Sequence, residues 1–220
     1  QNRHTNPIRF TDTSGNTVYH QKARKSKMKY KLQETRLGKG YINGNNELVN
    51  EPFDFTYKNR LPLYDLHLIV RSIIYPNMMA KEKRFNLTEE DYAFLRKYMS
   101  MYPREAGYPA YDTKEYPDTF VKKLIYGNDS VVNPSIRIYN KTGTAYGFHT
   151  DAAYIKDETN KVEFFLTVAI YCNSDGIFND DKYDYDTVGY PFLKNLGRVI
   201  YDYERKRSKN RNTDDTDKTD

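Results

Sequence analysis

The chain has 220 residues, with 35 lysine and arginine residues against 30 aspartate and glutamate residues, which gives a formal net charge of +5. A mean hydropathy of −0.92 and the lack of any apolar run of membrane-spanning length predict a water-soluble chain, and membrane association is left open. The length suffices for a sizeable core in one domain or two closely packed lobes. The single cysteine, Cys172, excludes an internal disulfide, and its place at the end of an apolar run predicts a core residue.

The excess of positive charge does not indicate a nucleic-acid partner. Basic residues concentrate at residues 22–31 and 205–211, and acidic residues fill residues 175–186. The chain has no zinc-finger spacing, no RNA-binding aromatic signature and no glycine-rich phosphate loop. A solvated surface and tail therefore explain the charge, and we predict no nucleic-acid binding.

The N-terminal region predicts a hairpin followed by a long loop. Residues 7–10 and 17–20 alternate as strands do, and the turn residues 12–16 lie between them. Residues 22–58 are basic and rich in glycine and asparagine, which predicts a long ordered loop.

Two helices are predicted in the middle of the chain. Apolar residues recur at helical spacing after Pro62, and Pro76 ends the pattern. Thr88, followed by three acidic residues, is typical of a helix N-terminus, and this second helix extends to about Met101. A short third helix is predicted over residues 118–126.

The C-terminal third predicts strands and a closing helix. Residues 136–144 and 162–171 read as strands, and we predict that they are antiparallel neighbours in one sheet. The second run is apolar on both faces, which favours a central strand covered on both sides. Residues 187–204 are predicted to be helical and packed on that sheet.

Four regions follow from this organisation. Residues 1–58 form the hairpin and basic loop, and residues 59–130 form a helical lobe. Residues 131–207 carry the sheet and the C-terminal helix. Residues 208–220, which are polar and charged, are predicted to be a disordered tail.

A Lys-Thr-Gly motif lies at the end of the first of these strands, within residues 140–144. Lys141 supplies a fixed positive charge and Thr142 a hydroxyl donor. Gly143 has no Cβ, so a ligand can approach the backbone and accept hydrogen bonds from its N–H groups. This combination on a strand indicates an anion-binding edge.

The motif and its surroundings resemble the serine β-lactamase and penicillin-binding-protein superfamily, where Lys-Thr-Gly lies on the strand that flanks the active site. The resemblance is strongest to divergent β-lactamase-family serine hydrolases of the Bacteroidetes type. The segments that carry it are residues 59–66, 92–101, 140–148, 147–155, 179–183 and 189–192.

The resemblance implies an α+β fold of the β-lactamase type, incomplete at the N-terminus, with an antiparallel sheet, a C-terminal helix packed on it and a helical lobe. It implies acyl transfer on a β-lactam or peptidoglycan-type amide, in a periplasmic or otherwise extracytoplasmic location. Lys141 would anchor the substrate and tune proton transfer, and Thr142 would bind the substrate carboxylate at the edge opened by Gly143. The backbone N–H of Thr144 would supply half of the oxyanion hole. No cofactor and no metal are implied.

The chain departs from the family in its nucleophile. The family places Ser-x-x-Lys at the start of a buried helix far upstream, and the one such string here, residues 26–29, lies in a solvated basic run. We therefore expect the nucleophile to lie upstream of this chain and the 220 residues alone to be inactive. The alternatives are a non-catalytic binding protein of the same fold and, less favoured, a basic surface protein that binds polyanions.

Two further residues are possible members of the site. Glu47, in residues 46–52, loosely resembles the glutamate that activates the deacylating water in class A β-lactamases, with the spacing off by one residue. His149 follows the motif and either faces the active site or is a packed or turn residue. Four scattered histidines do not form a metal set, and the aspartates of residues 175–186 lack calcium-loop spacing, so helix capping explains them.

Overall fold

A computed structural model describes residues 4–27, 33–108 and 110–214, with side chains described to residue 207. The chain divides into two compact units. The first comprises residues 1–60 and 175–180, and the second comprises residues 61–174 and 181–220.

The first unit opens with the predicted hairpin. Strands β1 (Ile8–Thr11) and β2 (Thr17–Gln21) pair antiparallel. The Asp12 carboxylate closes the turn by accepting hydrogen bonds from the backbone N–H groups of Ser14 and Asn16, each at 2.9 Å. This short-range turn chemistry confirms the prediction.

Short strands replace the long loop that was predicted over residues 22–58, of which residues 28–32 lie outside the described part. Strand β3 (Arg36–Leu37) pairs antiparallel with β6 (Phe53–Asp54). Strand β4 (Gly40–Ile42) pairs antiparallel with β5 (Leu48–Val49) and parallel with β10 (Ile177–Phe178). These two-residue and three-residue pairings are too short to leave an alternating pattern, so sequence periodicity did not reveal them.

Aromatic rings form the core of the first unit. Phe178 is fully buried, and its ring lies 5.2 Å from Phe55 and 5.8 Å from Phe53, measured between centroids. Tyr41 contacts Phe53 edge to face at 5.2 Å. Edge-to-face aromatic packing stabilises a unit whose strands are short.

The second unit contains a three-stranded antiparallel sheet in the order β7-β8-β9. The strands are β7 (Ile136–Ala145), β8 (Phe148–Asp157) and β9 (Val162–Tyr171). The prediction that the first and last of these are antiparallel neighbours is wrong, because β8 lies between them. Tyr146 and Gly147, with φ of +55° and +75°, form a two-residue turn that returns the chain directly beside β7.

Helices α1 (Leu63–Ile74) and α2 (Glu89–Ser100) confirm the two helices predicted in the middle of the chain. Thr88 and Asp91 form a reciprocal capping box at the start of α2. Val70 and Ile74 of α1 pack against one face of the sheet, in a cluster with Ala152 and Tyr154.

The opposite face of the sheet is covered by α3 (Lys123–Tyr126) and α4 (Tyr190–Asp214). A π-helical turn, Tyr185–Gly189, leads into α4, so the predicted closing helix is confirmed. The helix extends to Asp214, within the region that was predicted to be a disordered tail, and residues 215–220 lie outside the described part.

The predicted helix over residues 118–126 is only a short irregular one. Leu124 and Ile125 have non-helical backbone angles, and Ile125 adopts a φ of +77°, which is strained for a β-branched residue. A Cβ added to Gly197 of α4 would lie 2.7 Å from the backbone nitrogen of Ile125. Gly197 therefore permits a close approach that a side chain would prevent.

The architecture is mixed α+β, with small antiparallel sheets and a C-terminal helix packed on the largest of them. No helix in the described ranges combines the length and apolar character needed to cross a membrane.

Candidate functional site

The Lys-Thr-Gly motif lies on an edge strand of the second unit. Among the described residues, β8 is the one strand that pairs with β7, so β7 is an edge strand of this sheet. Lys141 is opposite Ala152, Thr142 is opposite Asp151, and Thr144 is opposite His149. An edge strand with a glycine can accept an extended ligand along its backbone.

Lys141 is exposed, and its ammonium donates a hydrogen bond to the carbonyl oxygen of Thr142 at 2.5 Å. In the part of the chain that the structure describes, no carboxylate forms an ion pair with it. Its charge is therefore available to a ligand.

Thr142 does not present its hydroxyl beside the Lys141 ammonium, although the resemblance implies that both groups contact the substrate. Its hydroxyl is on the other face of β7, 3.1 Å from Nε2 of His149, and it donates to the carbonyl oxygen of Thr150 at 3.2 Å. Neighbouring side chains on a strand point to opposite faces, and the strand does not twist enough at Gly143 to overcome this alternation.

His149 is buried between two threonines of the motif strand. Its Nδ1 lies 2.9 Å from the hydroxyl of Thr144, and its ring packs edge to face on Tyr190 at 5.4 Å. Because Thr142 donates its proton to Thr150, Nε2–H donates to Thr142 and Nδ1 accepts from Thr144. All polar groups of this arrangement are satisfied by one tautomer of a neutral imidazole.

Burial, and secondarily the positive charge of Lys123, lowers the pKa of His149 to about 4. The ring is therefore neutral near pH 7. The sequence left two interpretations of His149 open. In the structure His149 is a packed residue, because only 2% of it is exposed.

A buried polar cluster next to the motif was missed by the sequence reasoning. Lys122 is 1% exposed, and its ammonium donates to the carbonyl oxygen of Met99 at 2.6 Å and to Oδ1 of Asn140 at 2.8 Å. The amide nitrogen of Asn140 donates to Asp151 at 2.9 Å and to the carbonyl oxygen of Val121 at 2.8 Å. Asn140 thus bridges a buried cation and a buried carboxylate directly before Lys141.

Burial dominates the titration of both charged members of the cluster. It lowers the pKa of Lys122 to about 7, although the charge of Asp151 opposes the shift. It raises the pKa of Asp151 to about 6, against the Asn140 hydrogen bond and the charge of Lys122. The sequence signal for this buried cluster was weak. Lys122 belongs to an ordinary Lys-Lys pair, and Asp151 is placed on the inner face only by its two-residue separation from His149 along the strand.

The other sequence-predicted residues belong to the first unit. Glu47 accepts a hydrogen bond from the side-chain amide of Asn43 at 3.0 Å, and its backbone N–H donates to Oδ1 of Asn43 at the same distance. Ser26 is exposed, and its partners in the Ser-x-x-Lys string, Met28 and Lys29, lie outside the described residues. Glu47 therefore makes a turn contact, while Lys141 to Thr144 lie in the second unit.

No metal centre is formed by the residues that the structure describes, since no three His, Cys, Asp or Glu side chains are grouped to hold an ion. In the aspartate-rich region, Asp175 accepts from the backbone N–H of Ile177 and Asp184 accepts from that of Ser174, each at 2.8 Å. These are turn contacts, in which the aspartates cap backbone groups.

Comparisons with family models, with curated proteins and with solved structures found no match for this chain. The chemistry of the candidate site therefore rests on its own residues. The edge of β7 offers one exposed ammonium, a glycine and the backbone of an edge strand, which together suit a ligand with an anionic group and an acyl or amide backbone.

Proposed function

We propose that the chain is the C-terminal part of a β-lactamase-like serine hydrolase that acts by acyl transfer on a β-lactam or peptidoglycan-type amide outside the cytoplasm. The nucleophilic serine comes from a segment outside these 220 residues. The observation that carries the proposal is the exposed Lys141 ammonium, without an ion pair in the described part of the chain, on the open edge of β7.

In this proposal each motif residue has a distinct role. Lys141 attracts the anionic group of the substrate, and Gly143 lets the substrate backbone approach the strand. The N–H of Thr144 donates to the developing oxyanion, with the second donor supplied by the nucleophilic serine.

Thr142 has a supporting role in the geometry observed here. Its hydroxyl is bound to His149 and to Thr150 on the far face, so it fixes the position of the strand. Binding of a substrate carboxylate by Thr142 requires its hydroxyl to leave His149. We propose that Lys141 makes the main electrostatic contact and that Thr142 joins it after this rearrangement.

The 220-residue chain alone is expected to hydrolyse neither a chromogenic cephalosporin nor a p-nitrophenyl ester, because it lacks a credible pair of nucleophile and base. The measurement is the release of the chromophore, compared with buffer. Turnover that is abolished by Ser26→Ala would contradict this expectation and place the nucleophile in the basic run.

The test of the function itself uses a longer version of the protein that includes the upstream sequence. Incubation with a fluorescent penicillin followed by mass spectrometry should reveal a covalent acyl adduct on a serine of a Ser-x-x-Lys motif. An adduct on no serine, together with no turnover of esters or amides, would exclude the serine hydrolase.

The second candidate is a non-catalytic protein of the same type that binds a ligand or the cell wall. It is favoured by the occupation of the Thr142 and Thr144 hydroxyls by a neutral His149, which leaves charge and backbone at this edge but no activated hydroxyl. Reversible binding of a cell-wall peptide without acylation of the longer protein would select this function.

A further inference from the structure

A cleft of the second unit lies where helix α1 packs on strands β8 and β9. Its volume is about 450 Å³, which is within the range of small-molecule sites. Its lining includes Arg71, Glu163 and four aromatic residues, which are Tyr75, Tyr154, Phe164 and Phe165. The cleft therefore combines four aromatic rings, a cation and an anion.

A carboxylate and two phenols form its polar floor. The hydroxyl of Tyr75 donates to Glu163 at 2.9 Å, the hydroxyl of Tyr154 also donates to Glu163, and the two phenol oxygens lie 2.7 Å apart. These hydrogen bonds lower the pKa of the Glu163 carboxyl below its usual value. The carboxylate is thus held ionised and in one orientation while it remains exposed to solvent.

Arg71 supplies the cation of the cleft. Arg71 precedes Tyr75 by one helical turn, so the two side chains lie on the same face of α1. Among the described residues, none accepts a hydrogen bond from the Arg71 guanidinium, and no carboxylate lies within 4.0 Å of it. The half-buried guanidinium of Arg71 and the carboxylate of Glu163 thus line the same cleft without pairing with each other, so each can contact an oppositely charged group of a ligand.

We propose that this cleft binds a small zwitterion of the amino-acid type, with its carboxylate on Arg71 and its ammonium on Glu163. The planar guanidinium matches a carboxylate with two parallel hydrogen bonds. The exposed oxygen of Glu163 receives the ammonium, while the rings of Phe165 and Tyr154, 4.9 Å apart, provide an apolar wall for a side chain. A ligand with both charges satisfies both groups, whereas a simple acid would face the repulsion of Glu163.

The proposal is tested with the wild-type chain and three probes of similar size. L-Phenylalanine carries both charges, 3-phenylpropionate lacks the ammonium, and phenethylamine lacks the carboxylate. Calorimetric or NMR titration should give saturable binding of phenylalanine, and each analogue should bind at least about tenfold more weakly. Equal binding of all three probes, or no saturation by phenylalanine up to about 20 mM, would overturn the proposal.

Matched variants test whether phenylalanine binds in this cleft. Arg71→Met should abolish phenylalanine binding, and Glu163→Gln should weaken it at least about tenfold while retaining an acceptor for the two tyrosines. Arg205→Met, which removes another half-exposed helical arginine, should leave binding unchanged. Binding that survives Arg71→Met would refute the proposal, and the three-probe comparison decides the question if that variant does not fold.

Discussion

At the residue scale, the neutral histidine beneath the motif strand links stability to pH. His149 is held uncharged by burial, with its two nitrogens bound to threonine hydroxyls. Its pKa in the folded chain is about 4, against 6.5 for an unperturbed histidine. Between these values the unfolded chain takes up a proton that the folded chain does not, so the stability from this residue is complete above pH 6.5 and decreases as the pH falls toward 4.

The corresponding prediction concerns His149→Gln. The wild-type chain should lose on the order of 2 kcal/mol from this residue between pH 7 and pH 4.5, and the variant should lack that part of the pH dependence. Urea unfolding across this range measures the effect. His20→Gln, an exposed position, is the control and should retain the wild-type slope. Identical slopes for wild type and His149→Gln would contradict the assignment.

The buried cation and anion beside the motif form a second residue-scale unit. Lys122 and Asp151 are connected through Asn140 and do not touch each other directly. Removing one of the two charges leaves the other buried without compensation. The resulting loss of folding free energy is larger than the stabilisation that the intact pair provides.

Lys122→Met should lower the free energy of unfolding by about 3 kcal/mol, measured by urea denaturation at pH 7. Adding Asp151→Asn should recover part of this loss, because the stranded carboxylate is then neutral. Lys97→Met, at an exposed position of α2, should change stability by less than about 0.5 kcal/mol. An additive double variant would mean that the two charges are not coupled.

At the scale of elements, the contact between α3 and α4 depends on one glycine. Gly197 lies within the long C-terminal helix, where alanine would normally stabilise by up to about 1 kcal/mol. Here the alanine Cβ would lie 2.7 Å from the backbone nitrogen of Ile125. Backbone cannot move aside as a flexible side chain can, and Ile125 is already strained by its positive φ.

Gly197→Ala should therefore destabilise the chain by about 2 kcal/mol or more, with a matching fall in Tm. Gly107→Ala is the matched control, since nothing lies within 4 Å of the position that its Cβ would occupy. A Gly197→Ala variant as stable as wild type would show that α4 is not held against α3 at this distance.

At the scale of the whole molecule, the position of β7 at the edge of its sheet exposes the lysine that the proposed function requires. The edge is supported on one side by His149 and Asp151 and presents Lys141 on the other. A charge-assisted contact at a desolvated site is worth about 1.5–3 kcal/mol. The same lysine contributes little to folding, because it forms no ion pair with the residues that the structure describes.

In a longer protein that carries the nucleophile, Lys141→Ala should lower kcat/KM by at least about tenfold, which corresponds to 1.4 kcal/mol or more of lost transition-state stabilisation. Thermal unfolding should show unchanged stability, and Lys206→Ala on α4 should leave the kinetics unaltered. Normal kinetics in a stable Lys141→Ala variant would mean that the Lys-Thr-Gly motif has no role in catalysis and is only the end of a strand.

Much of the secondary structure was predictable because its causes are local. The hairpin β1-β2 follows from its turn residues, α2 from the Thr88 cap, and α1 from apolar spacing bounded by two prolines. These signals act within a few residues of the element that they define, so the sequence by itself determined them.

The tertiary structure alone decided the strand order and the environment of the charges. The turn at Tyr146 and Gly147 places β8 between β7 and β9, and this position buries His149 and Asp151. The cleft on α1 joins Tyr75 to Glu163 across 88 residues of chain. Such contacts depend on which surfaces become neighbours after folding, and no local periodicity encodes that choice.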